Sequence, residues 1–114
     1  MCGSDVAKDV ALAAHWLAKA AAQGHGQAQC TLGACYQRGE GVAKDDALAA
    51  QWYAKAAAQG DAEAQYRLAV CYALGTGVPD DAALAASLMR NAAAQGYKPA
   101  QELLTSFTFS AAPS

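Results

Sequence analysis

The sequence predicts an all-α fold, an α/α superhelix (solenoid) of antiparallel helix pairs with a 36-residue repeat. When the chain is shifted by 36 positions, residues 5–40 and 41–76 are identical at 22 of 36 positions, and residues 41–76 and 77–112 at 15 of 36. Each period contains two stretches whose apolar residues recur at helical spacing. Glycines and prolines separate the stretches, so neither continues into the next. A fixed period of this kind is typical of stacked repeats, and we expect a single domain over 1–114.

Residues 5–24 predict the first helix, which corresponds to the longer helix of the later periods without the shorter helix before it. We therefore interpret 5–24 as a half repeat. Because a helix at the end of a stack lacks a neighbour on one side, we expect this uncapped helix to pack on a partner or on a second copy of the chain.

Two full repeats follow, at 25–60 and 61–96, and residues 45–59 predict the longer helix of the first. Asp45 is a suitable N-cap, and Gly60 can adopt the left-handed conformation that ends a helix. Leu48, Trp52 and Ala56 recur every four residues and form one apolar face. This pattern predicts that Trp52, and Trp16 at the same repeat position, belong to the core.

Residues 61–74 predict the shorter helix, with Asp61 as its cap and Gly75 at its end, and Pro79 prevents any continuation. The last unit, 97–114, is a degenerate half repeat with a tail. We expect 106–114 to fray, with Phe107 and Phe109 folding back as a cap on the stack.

Composition narrows the possible functions. The chain is 54% hydrophobic and 16% charged with a net charge of -2, which is untypical of disordered chains and of nucleic-acid binding. No apolar run is long enough to span a membrane. The four cysteines form no C-x-x-C pair, and their spacing predicts that they are unpaired, with three of the thiols buried or half-buried. With no signal region before the first helix, we expect a cytoplasmic location, or a periplasmic or secreted one if a leader was removed.

The repeat unit resembles the Sel1-like repeat, a relative of the tetratricopeptide repeat, over nearly the whole chain. The resemblance implies a bacterial-type adaptor that assembles protein complexes rather than an enzyme. In some cysteine-rich bacterial members a disulfide links each helix pair; the position that would pair with Cys30 holds Ala21 here, so that disulfide is absent. The residues that carry the resemblance are Ala28, Leu32, Gly33, Tyr36, Gly39, Gly41, Val42, Asp45, Ala49, Trp52, Tyr53, Lys55, Ala56, Ala57, Gln59 and Gly60.

We find no motif for catalysis, a cofactor or a metal. The glycine pairs of the turns lack the third glycine of a dinucleotide fingerprint, and neither His15 nor His25 has a second histidine at a ligand spacing. The acidic pairs Asp45-Asp46 and Asp80-Asp81 stand at helix starts, where capping explains them. We therefore predict no cofactor and no enzyme activity, with hydrolysis of a cell-wall-like ligand as a remote alternative.

The predicted function is a protein–protein interaction scaffold that binds a protein or peptide on the concave face of its shorter helices. Alternatives are a self-associating structural piece, including a homodimer through the uncapped N-terminal helix, and an immunity-type inhibitor of a toxin. We place Cys30 on the solvent-facing side of its helix, together with the site. The candidate site comprises Gln27, Thr31, Ala34, Arg38, Glu63, Tyr66, Arg67, Val70, Leu74 and Glu102.

Overall fold

The computed structural model describes the backbone of residues 2–111 and the side chains of residues 11–104. The described backbone is helical throughout apart from the turns, and no strand occurs within it. In chain order the helices are α1 (Cys2–Ala22), α2 (Gly26–Arg38), α3 (Asp46–Ala58), α4 (Ala62–Leu74), α5 (Ala82–Ala94) and α6 (Lys98–Ala111).

The helices stack in the order of the chain. Each packs on the helix before it and the helix after it, and contacts between helices further apart are few. The result is an elongated molecule of 58 × 29 × 26 Å. This arrangement confirms the predicted solenoid, in which each helix packs mainly on its sequence neighbours.

Helix starts are fixed by aspartates. The side chains of Asp45, Asp61 and Asp81 accept hydrogen bonds from the backbone N–H three residues later, at 3.1, 2.9 and 3.1 Å. At the other end of α4, Gly75 has φ of +69°, and its N–H bonds the carbonyl of Cys71. These contacts satisfy polar groups that a helix terminus leaves unpaired, as predicted from the sequence.

The predicted difference between long and short helices is wrong. Helices α3 and α4 both have 13 residues, as do α2 and α5. Asp45 and Asp61 lie outside their helices as caps, and Gln59 belongs to the turn that ends α3. The two helices of a repeat therefore differ in sequence rather than in length.

The core is built mainly from alanines, with three larger side chains that are almost fully buried: Leu32, Tyr53 and Cys71. On α3 the buried residues are Ala49, Ala50, Tyr53 and Ala56. The stripe one position earlier, which holds Leu48 and Trp52, is only half-buried. The small alanines let α3 approach its neighbouring helices closely. The stripe with Leu48 and Trp52 then lies at the edge of the helix–helix contact.

The prediction that the tryptophans form the core is therefore wrong. Trp16 is 59% exposed and Trp52 is half-buried. The ammonium group of Lys55 lies 4.7 Å from the ring centroid of Trp52, and that of Lys19 lies 5.0 Å from the ring of Trp16. A lysine side chain thus lies over part of each ring, with a cation–π attraction.

The last helix also departs from its prediction. Its backbone is helical to Ala111, so 106–111 do not form the frayed end expected from the sequence. Pro99 lies in the first turn, where its missing N–H costs little, and no glycine or proline interrupts the helix after it. The predicted cap formed by Phe107 and Phe109 falls on side chains outside the described residues.

Glutamine side chains connect successive repeats. Gln59 donates to the side-chain oxygen of Gln29 at 2.8 Å, and Gln29 donates to the carbonyl of Ala21 at 3.0 Å. One repeat later Gln95 donates to Gln65 at 2.9 Å, and Gln65 donates to a carbonyl of α3 at 3.4 Å. Because Gln29 and Gln65 are both buried, these bonds also satisfy amides that would otherwise be costly to remove from water.

Candidate functional site

The ten predicted site residues lie on the even-numbered helices, and we call them the candidate face. On α4 its members stand at positions 63, 66, 67, 70 and 74, which form one stripe along the helix. On α2, Thr31 and Arg38 are exposed, and on α6, Glu102 is exposed. Of the remaining members, Gln27 and Leu74 are exposed, while Ala34, Glu63, Tyr66, Arg67 and Val70 are half-buried.

A polar cluster occupies the part of the candidate face between α2 and α4. The Nε of Arg67 donates to Glu63 at 2.9 Å, and the hydroxyl of Tyr53 donates to the side-chain oxygen of Gln37 at 2.9 Å. Burial raises the pKa of the Tyr53 hydroxyl to about 12, and the neighbouring guanidinium of Arg67 acts in the opposite direction. Arg67 is thus held by contacts within the chain.

Cys30 was predicted to face solvent next to this site, and that prediction is wrong. Its side chain is 3% exposed and belongs to the same core cluster as Tyr53 and Leu68. It turns toward the next even-numbered helix, because adjacent repeats pack through this side of α2. Burial, with the carboxylates of Glu63 and Asp61, raises the pKa of its thiol to about 12. At neutral pH the thiol is protonated and a poor nucleophile.

The described thiols are free, as predicted from their spacing. Cys30 and Cys71 are buried, Cys35 is half-buried, and none of the three forms a disulfide. Burial is the main cause that raises the pKa of the Cys35 thiol and of the Cys71 thiol as well. These cysteines therefore act as small apolar side chains in the stack.

Tyr66 and Val70 contribute to packing between repeats. The ring of Tyr66 lies 5.3 Å, centroid to centroid, from the ring of Tyr97. Both Tyr66 and Val70 pack against the second core cluster, which includes Ala69 and Met89. The part of the candidate face that is available to a partner is consequently smaller than the ten positions suggested.

An open apolar groove of about 330 Å³ continues the candidate face between α4 and α6. Leu103 lies at the repeat position of Arg67, and Ala73 and Met89 lie at those of Gln37 and Tyr53. The polar cluster thus has an apolar counterpart one repeat later. The groove is lined by Ala73 of α4, by Ala82, Ala85, Ala86 and Met89 of α5, and by Leu103 and Leu104 of α6.

The groove was not predicted from the sequence, although the signal for it is present there. An alignment at offset 36 places Gln37, Tyr53 and Arg67 over Ala73, Met89 and Leu103. All three positions change from polar or long side chains to apolar ones. This joint change indicates a groove only once the fold has placed the three positions side by side. Leu74, the most exposed large apolar residue described at 73%, directly follows Ala73 at the end of α4.

Other kinds of site find no support in the part of the chain that the structure describes. Within it, no three His, Cys, Asp or Glu side chains come together in a way that could hold a metal ion. No helix among the described residues has the length and apolarity needed to cross a membrane.

The repeat is similar to a known protein family. A family model described as Sel1 repeat matches three successive segments, residues 1–25, 26–61 and 62–97. No curated protein matches the chain.

Three solved structures of bacterial proteins are similar to this chain. A Sel1 repeat protein from Oxalobacter formigenes is 42% identical with a TM-score of 0.78, over 81% of this chain and 69% of that one. The protective antigen c5321 of uropathogenic Escherichia coli, described as displaying an SLR fold, is 42% identical with a TM-score of 0.77. That match covers 80% of this chain but only 20% of the antigen. Cysteine rich protein B of Helicobacter pylori shares the fold at 24% identity, with a TM-score of 0.75, over 88% of this chain and 90% of that one.

Proposed function

This chain belongs to the Sel1 repeat family, and from that premise we propose that it is a scaffold that binds a protein or peptide partner on the candidate face. Sel1 repeats generally mediate protein interactions, and the repeat is a non-enzymatic scaffold fold.

The observation that carries the proposal is the exposed apolar surface at the end of the candidate face. Leu74 is 73% exposed and Leu103 is 43% exposed. Leu103 lines an apolar groove, and Leu74 directly follows Ala73, another of its lining residues. Exposed apolar residues next to a concave surface are typical of interaction sites, and polar residues commonly surround them. Glu102, which directly precedes Leu103, is an exposed polar residue of this kind, and Thr31 and Arg38 are exposed polar members of the candidate face on α2.

The size of the molecule sets the size of the partner. A standard protein–protein interface buries roughly 800 Å² on each side, which would occupy most of the even-numbered helix face of so short a stack. A single peptide segment, a helix or one face of a small domain fits this area.

Alanine substitution of Tyr66 and Arg67 is a poor test, because both side chains make contacts within the chain. Site-specific photocrosslinking avoids this difficulty. We would place p-benzoylphenylalanine at Thr31 or Leu74 on the candidate face, and at Gln51 or Ser87 on the exposed side of α3 and α5, and irradiate each protein in lysate of the native cell. All four positions are exposed, so each can reach a partner. We expect one dominant protein adduct from Thr31 and Leu74, and none from Gln51 and Ser87. Adducts from the odd-numbered helices alone would contradict the proposed site.

Self-association is a second candidate, and one observation favours it. Leu12 and Trp16 on α1 are 55% and 59% exposed, whereas the equivalent Leu48 and Trp52 are half-buried. A second copy that covered this face would bury the bulky stripe of α1. Sedimentation over a range of protein concentrations tests it: a mass of two chains that falls to one in Trp16→Glu supports self-association, and one chain at every concentration contradicts it.

A further inference from the structure

The groove lies between the C-terminal end of α4 and the part of α6 around Leu103 and Leu104. Residues of α5, from Ala82 to Met89, form its base, Ala73 lies on the α4 side, and Leu103 lies on the α6 side. Its volume of about 330 Å³ is at the lower end of the roughly 300–1,000 Å³ range of ligand pockets. A space of this size accommodates one or two large side chains and not a folded domain.

The preceding repeat indicates what kind of group belongs there. Between α2 and α4 the corresponding space is filled by the chain itself, through the hydroxyl of Tyr53, the amide of Gln37 and the guanidinium of Arg67. In the next repeat, methionine, alanine and leucine replace these residues, and the space is open. The new residues offer no side-chain hydrogen-bonding group, so only an apolar group can fill the groove without leaving polar atoms unpaired.

The charges around the groove are predominantly negative. Asp80 lies beside Gly75 next to Leu74, Asp81 caps α5, and Glu102 directly precedes Leu103. Against these three carboxylates stand two cations, Arg90, which follows Met89, and Lys98, one turn before Glu102 on α6, so the local excess is 3 − 2 = 1 negative charge. Among side chains 11–104, neither Asp80 nor Glu102 forms an ion pair. The C-terminus of α4 adds a partial negative charge and the N-terminus of α5, at Ala82, a partial positive one, so the two helix ends offset each other and the side-chain charges set the sign.

We propose that the groove binds a basic amphipathic segment of a partner protein, with one large apolar side chain in the groove and lysine or arginine side chains beside Asp80 and Glu102. This inference depends on the proposed scaffold function and specifies the chemistry of its partner. The apolar anchor supplies most of the affinity, while the surrounding charges favour a cationic segment over an anionic one.

Three synthetic peptides test this chemistry on the full chain. All are 16-residue helical designs labelled with a fluorophore: one has leucine and tryptophan on one face and lysine on the other, the second replaces lysine by glutamate, and the third replaces the apolar residues by serine. Fluorescence anisotropy gives the affinities at low and at physiological salt. We expect the lysine peptide to bind about tenfold or more tightly than either of the others, since loss of one buried anchor or of charge complementarity typically has an effect of this order.

The decisive variant is Leu74→Arg with Leu103→Arg. It introduces the residues that the preceding repeat carries at the same positions, Arg38 and Arg67, so the repeat itself indicates that they are compatible with the fold. We expect it to weaken binding of the lysine peptide by about tenfold or more. Asp80→Asn with Glu102→Gln should weaken binding less and make it less sensitive to salt, because it removes charge and leaves the apolar contact.

The matched control is Gln51→Arg with Ser87→Arg, which adds the same two charges on exposed positions of α3 and α5. At physiological salt, charges away from the groove are largely screened, so we expect the affinity to stay near that of the natural chain. Circular dichroism verifies that each variant is folded. If the double arginine variant is not, Ala73→Gln takes its place, because it fills the groove with the residue of the preceding repeat.

Several results would overturn the inference without touching the scaffold function. One is tighter binding of the glutamate peptide than of the lysine peptide. Another is an affinity for the lysine peptide that neither Leu74→Arg with Leu103→Arg nor Asp80→Asn with Glu102→Gln changes. A third is a natural chain with the mass of two copies that the groove variants convert to one, since a second copy then occupies the groove. The photocrosslinking experiment tests the scaffold function separately, because it requires no assumption about the charge of the partner.

Discussion

At the scale of single residues, the contact between α2 and α3 depends on a glycine. A Cβ atom on Gly33 would lie 2.8 Å from two ring carbons of Tyr53 and 3.1 Å from the carbonyl oxygen of Ala49. The absence of a side chain therefore allows the Tyr53 ring to pack directly on the α2 backbone and its hydroxyl to reach Gln37. One repeat later the same contact consists of Ala69 and Met89, in which a flexible side chain accommodates the added methyl group.

This pairing predicts that Gly33→Ala destabilises the protein and that Tyr53→Met relieves part of the effect. Overpacking against a rigid ring typically costs about 1–3 kcal/mol. Urea denaturation of the natural chain, both single variants and Gly33→Ala/Tyr53→Met gives the coupling between the two sites. We expect the double variant to be more stable than the sum of the single effects implies. Strictly additive effects would mean that the close approach of Gly33 to Tyr53 has no energetic consequence.

At the scale of helices, equivalent starts are capped unequally. Asp61 accepts a hydrogen bond from the N–H of Ala64, whereas His25, at the same repeat position before α2, makes no side-chain capping bond. Tyr97 holds this position before α6, and its ring contacts that of Tyr66 at a tilt of 51°. The even-numbered helices thus share a length near 13 residues but not the stability of their first turn.

We predict that His25→Asp stabilises the protein by about 1 kcal/mol, since a carboxylate at the N-cap pairs an otherwise free N–H and interacts favourably with the helix dipole. Asp61→His is the matched reverse change and should destabilise by a similar amount. Thermal and urea unfolding measure both effects. Equal stability of the natural chain and His25→Asp would show that the first turn of α2 gains nothing from a side-chain cap.

At the scale of the whole molecule, stability is distributed along the stack. Helices α3 and α4 have packed neighbours on both sides, while α1 and α6 each pack on one described helix. The glutamine bonds reinforce the central interfaces, where Gln29 and Gln65 are buried. In such an array each repeat is stabilised mainly by its nearest neighbours.

We therefore predict a gradient of hydrogen exchange along the chain. Backbone amides in α3 and α4 should exchange about tenfold or more slowly than those of residues 14–22 and 101–104, because opening an end helix breaks one interface and opening a central helix breaks two. Exchange followed by mass spectrometry or NMR measures this. Equal protection in all helices would indicate that the stack opens as one cooperative unit.

Much of the architecture was determined by the sequence alone. The 36-residue period, the aspartate caps and the glycine helix ends specify six helices and their order. These signals act over a few residues or arise from similar copies of one unit. The free thiols at positions 30, 35 and 71 also followed from local spacing. The family resemblance rests on the same local signals, and the comparisons confirm it.

Tertiary packing decided which face of each helix is buried and where the surface is open. Helical periodicity identifies neighbouring stripes such as Leu48–Trp52 and Ala49–Tyr53 but does not rank them. Close contact through alanines buries the second stripe of α3, packing of α2 toward the next even-numbered helix buries Cys30, and Trp16 on α1 stays exposed. The groove beside Leu103 arises in the same way, since residues from three helices form it and their relative positions are set only when the helices pack.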